Sequence, residues 1–356
     1  MPDERAILSE PGFYDLTEAD YRADPAPRPS LTQSLGQVLL EKCPKAAWWQ
    51  HPLLNPEYEP QANGILDGGT VRHCLMLGKG KPFKIVDAAD YRTKDARLQR
   101  DTYRAAGYVP ILIEQFKAAN AMAAAAREQL QAIEGGKYAF DAAFGGIELC
   151  ALAYDPAGCW IRTLIDFYGS KIPTGVELWD YKTTSASASP IDLRTRIEGW
   201  AFQAAFQERI VCQLKPELEG RLTFRFLVQE TQAPYLCSVV TPAGNARHLA
   251  HKKVAAAIQI WASCLATDTW PGYSRNPVSL GVLPNAEARW LDREIGDDLI
   301  RMAASDPYLA TAFPEPDREA LTQQVMRLNR KRGPYRPPKE GDKRRREYRE
   351  ARKEEL

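Results

Sequence analysis

Apolar residues change their spacing near residue 140 of this chain. Before that point they recur every three or four positions, as in residues 31–42, which is the spacing of a helix that buries one face. Residues 111–133 are rich in Ala and predict a long helix that ends at Gly135-Gly136. After residue 140, runs rich in β-branched and aromatic residues alternate with Gly- and Pro-containing turns, which predicts strands. The first three predicted strands cover residues 147–155, 159–168 and 176–183.

The remainder of the chain predicts further helices and one hairpin. Residues 222–230 and 235–241 predict a pair of strands, and helices are predicted at 191–214, 244–267 and 286–304. A meander of strands, a helix, two more strands and another helix are typical of a mixed β-sheet that is flanked by helices. The expected fold class is therefore α/β.

These patterns also predict how the chain is divided. The N-terminal part of the main domain is expected to be a helical lobe, apart from a short strand at 83–86. The expected parts are a loosely ordered N-terminus (1–30), a main domain (31–275) made of an N-terminal helical lobe (31–134) and a sheet-containing core (140–275), a helical segment (276–329) and a basic charged tail (330–356).

Charge is distributed unevenly along the 356 residues. The net charge is only +1, so the overall balance does not indicate a nucleic-acid-binding protein. Residues 330–356, however, contain 12 Lys and Arg against 6 Asp and Glu, which leaves 35 basic and 40 acidic residues in the rest of the chain. We expect the tail to be a solvated, charged segment that could add non-specific affinity for DNA.

Cysteine usage and hydropathy predict the cellular compartment. The seven cysteines are scattered and none is spaced Cys-x-x-Cys, which argues against a disulfide framework, a zinc ribbon or an iron–sulfur cluster. No run approaches the roughly 20 apolar residues that a membrane-spanning helix needs. The first 20 residues are acidic and lack the apolar region of a signal peptide. We therefore expect a soluble, cytoplasmic protein.

The predicted strand 176–183 carries the most informative chemistry. Side chains alternate along a strand, so Asp180 and Lys182 point to one face while Tyr181 points away. If this strand pairs with the preceding one, Asp166 can lie on the same face. Two carboxylates and an ammonium group are costly to bury unless a metal ion and a substrate use them. This combination indicates the chemistry of a magnesium-dependent nuclease.

The ordered set that includes these residues resembles a known nuclease family. His73, the segment 162–166, the triplet 180–182 and Gln203 follow one another in the order of the RecB-like branch of the PD-(D/E)xK nucleases. Within that branch the chain is most similar to the exonuclease VIII (RecE-type) recombination nucleases. The resemblance covers roughly residues 30–275 and implies a restriction-endonuclease-like mixed β-sheet flanked by helices.

The resemblance implies a metal site. Asp166 is expected to be the central ligand and Asp180 the second, joined by the backbone carbonyl of Tyr181. His73 is expected to bind the metal or to fix its water, and Glu148 is a further candidate ligand or base. Mg²⁺ prefers hard oxygen ligands and keeps several waters, so few carboxylates suffice. The expected cofactor is Mg²⁺, with Mn²⁺ as a possible substitute.

Two further residues have roles implied by the same resemblance. Lys182 is expected to orient or help to deprotonate the attacking water. Gln203 is expected to contact DNA or to support the lysine. The family often has a tyrosine four residues after this glutamine, whereas this chain has Gln207.

The expected substrate is DNA. Arg162, four residues before Asp166, and the basic positions Arg92 and Lys94 are candidate contacts to phosphates. The resemblance implies an exonuclease that acts on ends of linear double-stranded DNA, 5′ to 3′, and leaves 3′ single strands for annealing recombination. It also implies a homo-oligomer, a single-strand-annealing partner and a bacterial or phage-infected cell. The alternatives are a single-strand-specific or endonucleolytic RecB-like nuclease, and a catalytically inert DNA-binding module.

Overall fold

The computed structural model describes residues 7–59, 66–173, 175–274, 276–278, 280–281 and 284–303. Its contacts divide the chain into two units, residues 1–273 and 274–356. The candidate site residues all belong to the first unit.

The first unit contains both helices and strands. In its N-terminal half they are β1 (Gly12–Asp15), α1 (Glu18–Arg22), α2 (Gln33–Glu41), α3 (Pro44–Trp49), α4 (Leu66–Leu77), β2 (Phe83–Val86), α5 (Lys94–Ala105), β3 (Val109–Leu112) and α6 (Ile113–Gln131). They are followed by β4 (Gly146–Asp155), β5 (Cys159–Gly169), β6 (Glu177–Thr184), α7 (Ile197–Leu214), β7 (Thr223–Glu230), β8 (Cys237–Val240) and α8 (Gly244–Thr267).

Most of these strands form one mixed sheet, in the order β1-β4-β5-β6-β7-β8. Neighbouring strands run antiparallel except for β6 and β7, which are parallel. A parallel pair needs a crossover connection, and α7 lies in the segment that connects these two strands. The predicted meander and the predicted hairpin are both present. The expected mixed α/β sheet flanked by helices is therefore confirmed.

Helices cover both faces of this sheet. On one face, α2, α7 and α8 pack against Ile161, Leu178 and Phe226 in the larger hydrophobic core. On the other face, α4 and α6 pack against Phe167 and Trp179 in a smaller core. Strand β6 thus alternates apolar side chains between two cores, as a strand that is buried on both faces requires.

The expectation of a loosely ordered N-terminus is wrong for the described residues 7–30. β1 adds an edge strand to the sheet by pairing with β4, and Phe13 stacks on Tyr168 with ring centroids 4.9 Å apart. Farther along, the buried carboxylate of Asp24 pairs with Arg162 at 2.9 Å. The Pro-rich, acidic composition concealed this order because each contact depends on a partner far along the chain.

The expectation of a helical lobe at 31–134 is wrong in part. β2 and β3 form a separate, parallel two-stranded sheet beside α4, α5 and α6. α2 and α3 instead pack on α8 at the main core. All four residues of β3 are buried, and a buried run this short has no periodicity that distinguishes a strand from the start of the Ala-rich helix that follows it.

The second unit contains α9 (Pro284–Gly296) and α10 (Asp298–Ala303), which pack against each other. Both fall within the predicted helical segment 276–329. The predicted basic tail 330–356 lies outside the described residues. None of the helices that the structure describes combines the length and the apolar composition needed to cross a lipid bilayer.

Candidate active site

The candidate residues meet where two neighbouring strands of the sheet separate. The antiparallel ladder between β5 and β6 ends at Phe167 opposite Trp179. From there β5 continues beside β4, and β6 continues beside β7 as far as Thr184. The next residues along each strand, Asp166 and Asp180, therefore stand across from each other at the opening between β5 and β6.

Asp166 lies within this opening. Its Oδ2 accepts hydrogen bonds from the backbone N–H of Tyr181 at 2.9 Å and from Nε2 of His73 at 3.0 Å. Burial opposes charge on the carboxyl group, but His73, Lys182 and the Tyr181 N–H together hold the pKa of Asp166 below its usual range. The N–H and C=O of one strand residue point to the same side, so the Tyr181 carbonyl also faces the opening.

His73 projects from α4 between two carboxylates. Besides the bond to Asp166, its Nδ1 lies 3.4 Å from Oε1 of Glu148. Burial favours the neutral ring, but Asp166 and Glu148 raise the pKa of His73 to about 10. Both ring nitrogens therefore carry protons at neutral pH in the metal-free protein. A metal ion binds to this ring only by displacing a proton.

Glu148 reaches the site because its backbone is unusual for a strand. Its φ is +47°, in the left-handed region that residues other than glycine seldom adopt. On β4, Ile147 packs against the smaller core and Ala151 lies in the larger one, although residues four apart on a regular strand share a face. On β5, Ile165 and Phe167 also lie in different cores. The two strands therefore change faces together at Glu148, whose carboxylate points to the opening.

Asp180 and Lys182 form an ion pair on β6. Lys182 Nζ lies 2.7 Å from Oδ2 of Asp180, and Nε2 of Gln203 on α7 donates to Oδ1. Burial raises the pKa of Asp180 to about 6, an effect that Lys182 opposes and Asp166 strengthens. Burial alone favours neutral Lys182, but the two aspartates raise the pKa of the lysine above its usual range. Lys182 is therefore a proton-bearing ammonium group at neutral pH.

A cavity of about 470 Å³ contains this whole set. The predicted catalytic and metal-binding residues that line it are His73, Glu148, Asp166, Asp180, Tyr181, Lys182 and Gln203. Arg22 of α1 and Lys81, which the sequence analysis missed, add positive charge to the wall. The Gly-Lys-Gly-Lys sequence at 78–81, soon after His73, was a usable signal for Lys81. Arg22 had none, because α1 was not predicted.

The predicted DNA contacts do not all lie at the cavity. Arg162 is only 3% exposed and pairs with Asp24, so the prediction that it contacts DNA is wrong: its guanidinium is turned into the protein interior. Arg92 and Lys94 are exposed at the start of α5, outside the cavity lining, and stay predictions. Gln207 is buried and donates to a backbone carbonyl of β5 at 3.1 Å, which is a structural role.

The donor set fits a hard divalent cation. Glu148, Asp166 and Asp180 direct carboxylate oxygens into one cavity, and Mg²⁺ is commonly held by one or two carboxylates together with waters. In the part of the chain that the structure describes, no three His, Cys, Asp or Glu side chains already surround a common point as metal ligands. The cations of His73 and Lys182 neutralise the carboxylates in this arrangement.

Comparisons with known proteins place few constraints on this site. The chain matches no protein-family model, and it matches none of the curated proteins with which it was compared. It is similar to a crystal structure named as a "Putative exonuclease" from Eubacterium rectale, with a TM-score of 0.44 and 15% sequence identity over 75% of this chain and 97% of the other. A likeness of this size establishes neither a family nor an activity.

Proposed function

We propose that this chain is a Mg²⁺-dependent deoxyribonuclease that hydrolyses phosphodiester bonds at the ends of linear double-stranded DNA. The observation that carries the proposal is the placement of Asp166 and Asp180 at the opening between β5 and β6, with Lys182 beside them in one cavity. Carboxylates buried this close together are costly unless a cation binds to them. An ammonium group beside them suits a phosphate substrate.

Each residue of the site has a separate role in the proposed hydrolysis. Asp166 and Asp180 hold the ion, with Glu148 and the Tyr181 carbonyl as further oxygen donors. The bound ion supplies a Lewis acid and an activated water for in-line displacement at phosphorus. Lys182 donates a hydrogen bond from Nζ to the oxygen atoms on which negative charge develops. Gln203 fixes Asp180 by donating to its Oδ1.

The proposal includes finer features that the resemblance to exonuclease VIII supports. These are 5′ to 3′ polarity, a 3′ single-stranded product for annealing recombination, a homo-oligomer and a single-strand-annealing partner. Mn²⁺ substitutes for Mg²⁺ in the proposed reaction. A cytoplasmic location is part of the same proposal.

The test is digestion of a linear duplex that carries a different label at each end, by the wild type and by Lys182→Ala. We expect loss of 5′ nucleotides with Mg²⁺, none with chelator, and a rate that falls by about a hundredfold or more in Lys182→Ala, because the variant lacks the donor that offsets developing charge. Lys117→Ala is the matched control, since it removes an exposed lysine of α6 outside the cavity lining.

The substrate form separates the alternatives. A covalently closed circle stays intact if the enzyme is an exonuclease, and its cleavage identifies an endonuclease. Preference for a single-stranded substrate identifies the single-strand-specific alternative. If wild type and Lys182→Ala both bind DNA and neither cleaves it, the protein is a DNA-binding module and the proposal fails.

A further inference from the structure

Lys79, in the loop that follows α4, contacts strand β4 rather than solvent alone. Its Nζ donates to the backbone carbonyls of Ile147 at 3.1 Å and Glu148 at 3.3 Å. The same ammonium group lies 2.5 Å from Oδ1 of Asp15 on β1. One cation therefore joins the loop to the two strands at this edge of the sheet.

The carbonyls that Lys79 contacts belong to the stretch where β4 departs from regular geometry. Glu148 has its φ at +47°, a conformation that costs free energy in a non-glycine residue and persists only where neighbouring groups hold it. An ammonium group that donates to two successive carbonyls is such a constraint, because those bonds fix the direction of both peptide groups.

The loop backbone also passes close to the Glu148 side chain. Gly80 has its φ at +129°, and a Cβ atom built there would lie 3.5 Å from Oε1 of Glu148. The segment that ends in this loop begins with α4, which carries His73, the residue that Glu148 contacts at 3.4 Å. The segment formed by α4 and the following loop therefore positions His73 and also passes close to the Glu148 carboxylate that His73 faces.

We infer that Lys79 is a positioning residue of the proposed active site: it holds Glu148 in its left-handed conformation and so directs the Glu148 carboxylate towards His73 and the ion. The inference rests on the proposed function for its catalytic meaning. Lys79 itself does not line the cavity, so it acts through Glu148. Lys79 therefore increases the affinity of the site for the metal ion.

Lys79→Met tests the inference, with two readouts. The first is Mn²⁺ binding to the full chain by calorimetry. We expect the dissociation constant to rise by about tenfold, the cost typical of losing a group that orients a ligand. The second readout is the pair of Cα and Cβ chemical shifts of Glu148 in the metal-free protein, which should move from left-handed to strand values.

Three further variants show which contact matters. Asp15→Asn removes the exposed ion pair but keeps both carbonyl bonds, and should leave the Mn²⁺ dissociation constant within about twofold of wild type. Lys79→Arg keeps donors for the carbonyls and should retain most of the affinity. In a Glu148→Ala background, Lys79→Met should have no additional effect on Mn²⁺ binding, because the residue through which it acts is missing.

Failure of this inference differs from failure of the proposed function. Unchanged Glu148 shifts and unchanged Mn²⁺ affinity in Lys79→Met would overturn the positioning role, and so would an equal loss in Asp15→Asn. If the wild type binds no Mn²⁺, the proposed function fails. Even in that case, the Cα and Cβ chemical shifts of Glu148 in Lys79→Met show whether Lys79 holds the Glu148 backbone in its left-handed conformation.

Discussion

Strand β5 carries two charged residues, four positions apart, that belong to contrasting clusters. Arg162 joins Asp24 and His51 in a cluster whose members are at most 3% exposed. Asp166 joins His73 and a lysine at a cavity of about 470 Å³. Each cluster combines aspartate, histidine and a basic residue, so residue types do not distinguish a structural cluster from a candidate active site.

The closed cluster around Asp24 satisfies its charges internally. Asp24 Oδ1 lies 2.9 Å from Nη1 of Arg162, and Oδ2 lies 3.0 Å from Nε2 of His51. Ser30 donates to the same carboxylate through its backbone and its hydroxyl. Burial opposes the charge, but these donors hold the pKa of Asp24 below its usual range. Leu53 N–H donates to Nδ1 of His51, which leaves Nε2 as the ring nitrogen that faces Asp24.

The open cluster around Asp166 keeps an electrostatic cost that the closed one avoids. Both clusters contain a left-handed non-glycine backbone, at Glu148 (φ +47°) and at Asp24 (φ +62°). In the open cluster, however, Asp180 is buried with its pKa raised to about 6, whereas the pKa of Asp24 is lowered. Such costs persist in a fold when function requires them. The contrast teaches that a carboxyl group whose pKa is raised by burial, together with access to a cavity, identifies a candidate site better than the residue types do.

The largest expected effect comes from Asp166→Asn. The amide preserves the shape but not the charge, and the rate of DNA hydrolysis should fall by about a thousandfold or more, beyond the ten- to hundredfold loss typical of groups that only orient a ligand. Initial rates at saturating Mg²⁺ measure the loss, and urea unfolding measures the stability. If the loss of activity is no larger than the loss of folded protein, Asp166 has a structural role like that of Asp24, and the contrast between the two clusters is wrong.

Asp24→Asn should have the opposite signature. It leaves the guanidinium of Arg162 buried without a counter-charge, so the free energy of unfolding should fall by about 3–5 kcal/mol. Urea unfolding measures this change, and the folded fraction should hydrolyse DNA at the wild-type rate. A loss of activity without loss of stability would contradict a purely structural role for this cluster.

The change in the free energy of unfolding caused by Asp180→Asn should depend on pH, unlike the change caused by Asp24→Asn. Because Asp180 has its pKa raised to about 6, the folded protein holds a proton that the unfolded chain releases, and wild-type stability falls as pH rises towards 6. The variant lacks this titration. Its stability relative to wild type should therefore rise by up to about 1.4 kcal/mol between pH 5 and pH 6 and then level off.

Urea unfolding of both proteins with chelator, from pH 5 to pH 8, measures this difference. Asp24→Asn is the control: Asp24 has a lowered pKa and stays ionised throughout the range, so its difference from wild type should be flat. A flat difference for Asp180→Asn as well would mean that Asp180 titrates like an exposed carboxyl group.

Local patterns predicted the part of the site that depends on strand geometry alone. The alternation of Asp180, Tyr181 and Lys182 follows from a strand period of two residues, and the meander follows from its turns. The left-handed Glu148 could not be predicted, because its conformation depends on the carbonyl contacts of Lys79. The interior position of Arg162 depends on Asp24, which lies in a segment whose composition predicted no order.

A last comparison combines changes within each cluster. Adding Arg162→Met to Asp24→Asn removes the unpaired buried charge, so the double variant should be more stable than the single one by about 1–2 kcal/mol in urea unfolding. Adding His73→Gln to Asp166→Asn should restore no hydrolysis, because the open cluster needs its charges for a ligand rather than for each other. Two outcomes would contradict this distinction between the clusters. One is recovery of hydrolysis when His73→Gln is added to Asp166→Asn, and the other is no gain in stability when Arg162→Met is added to Asp24→Asn.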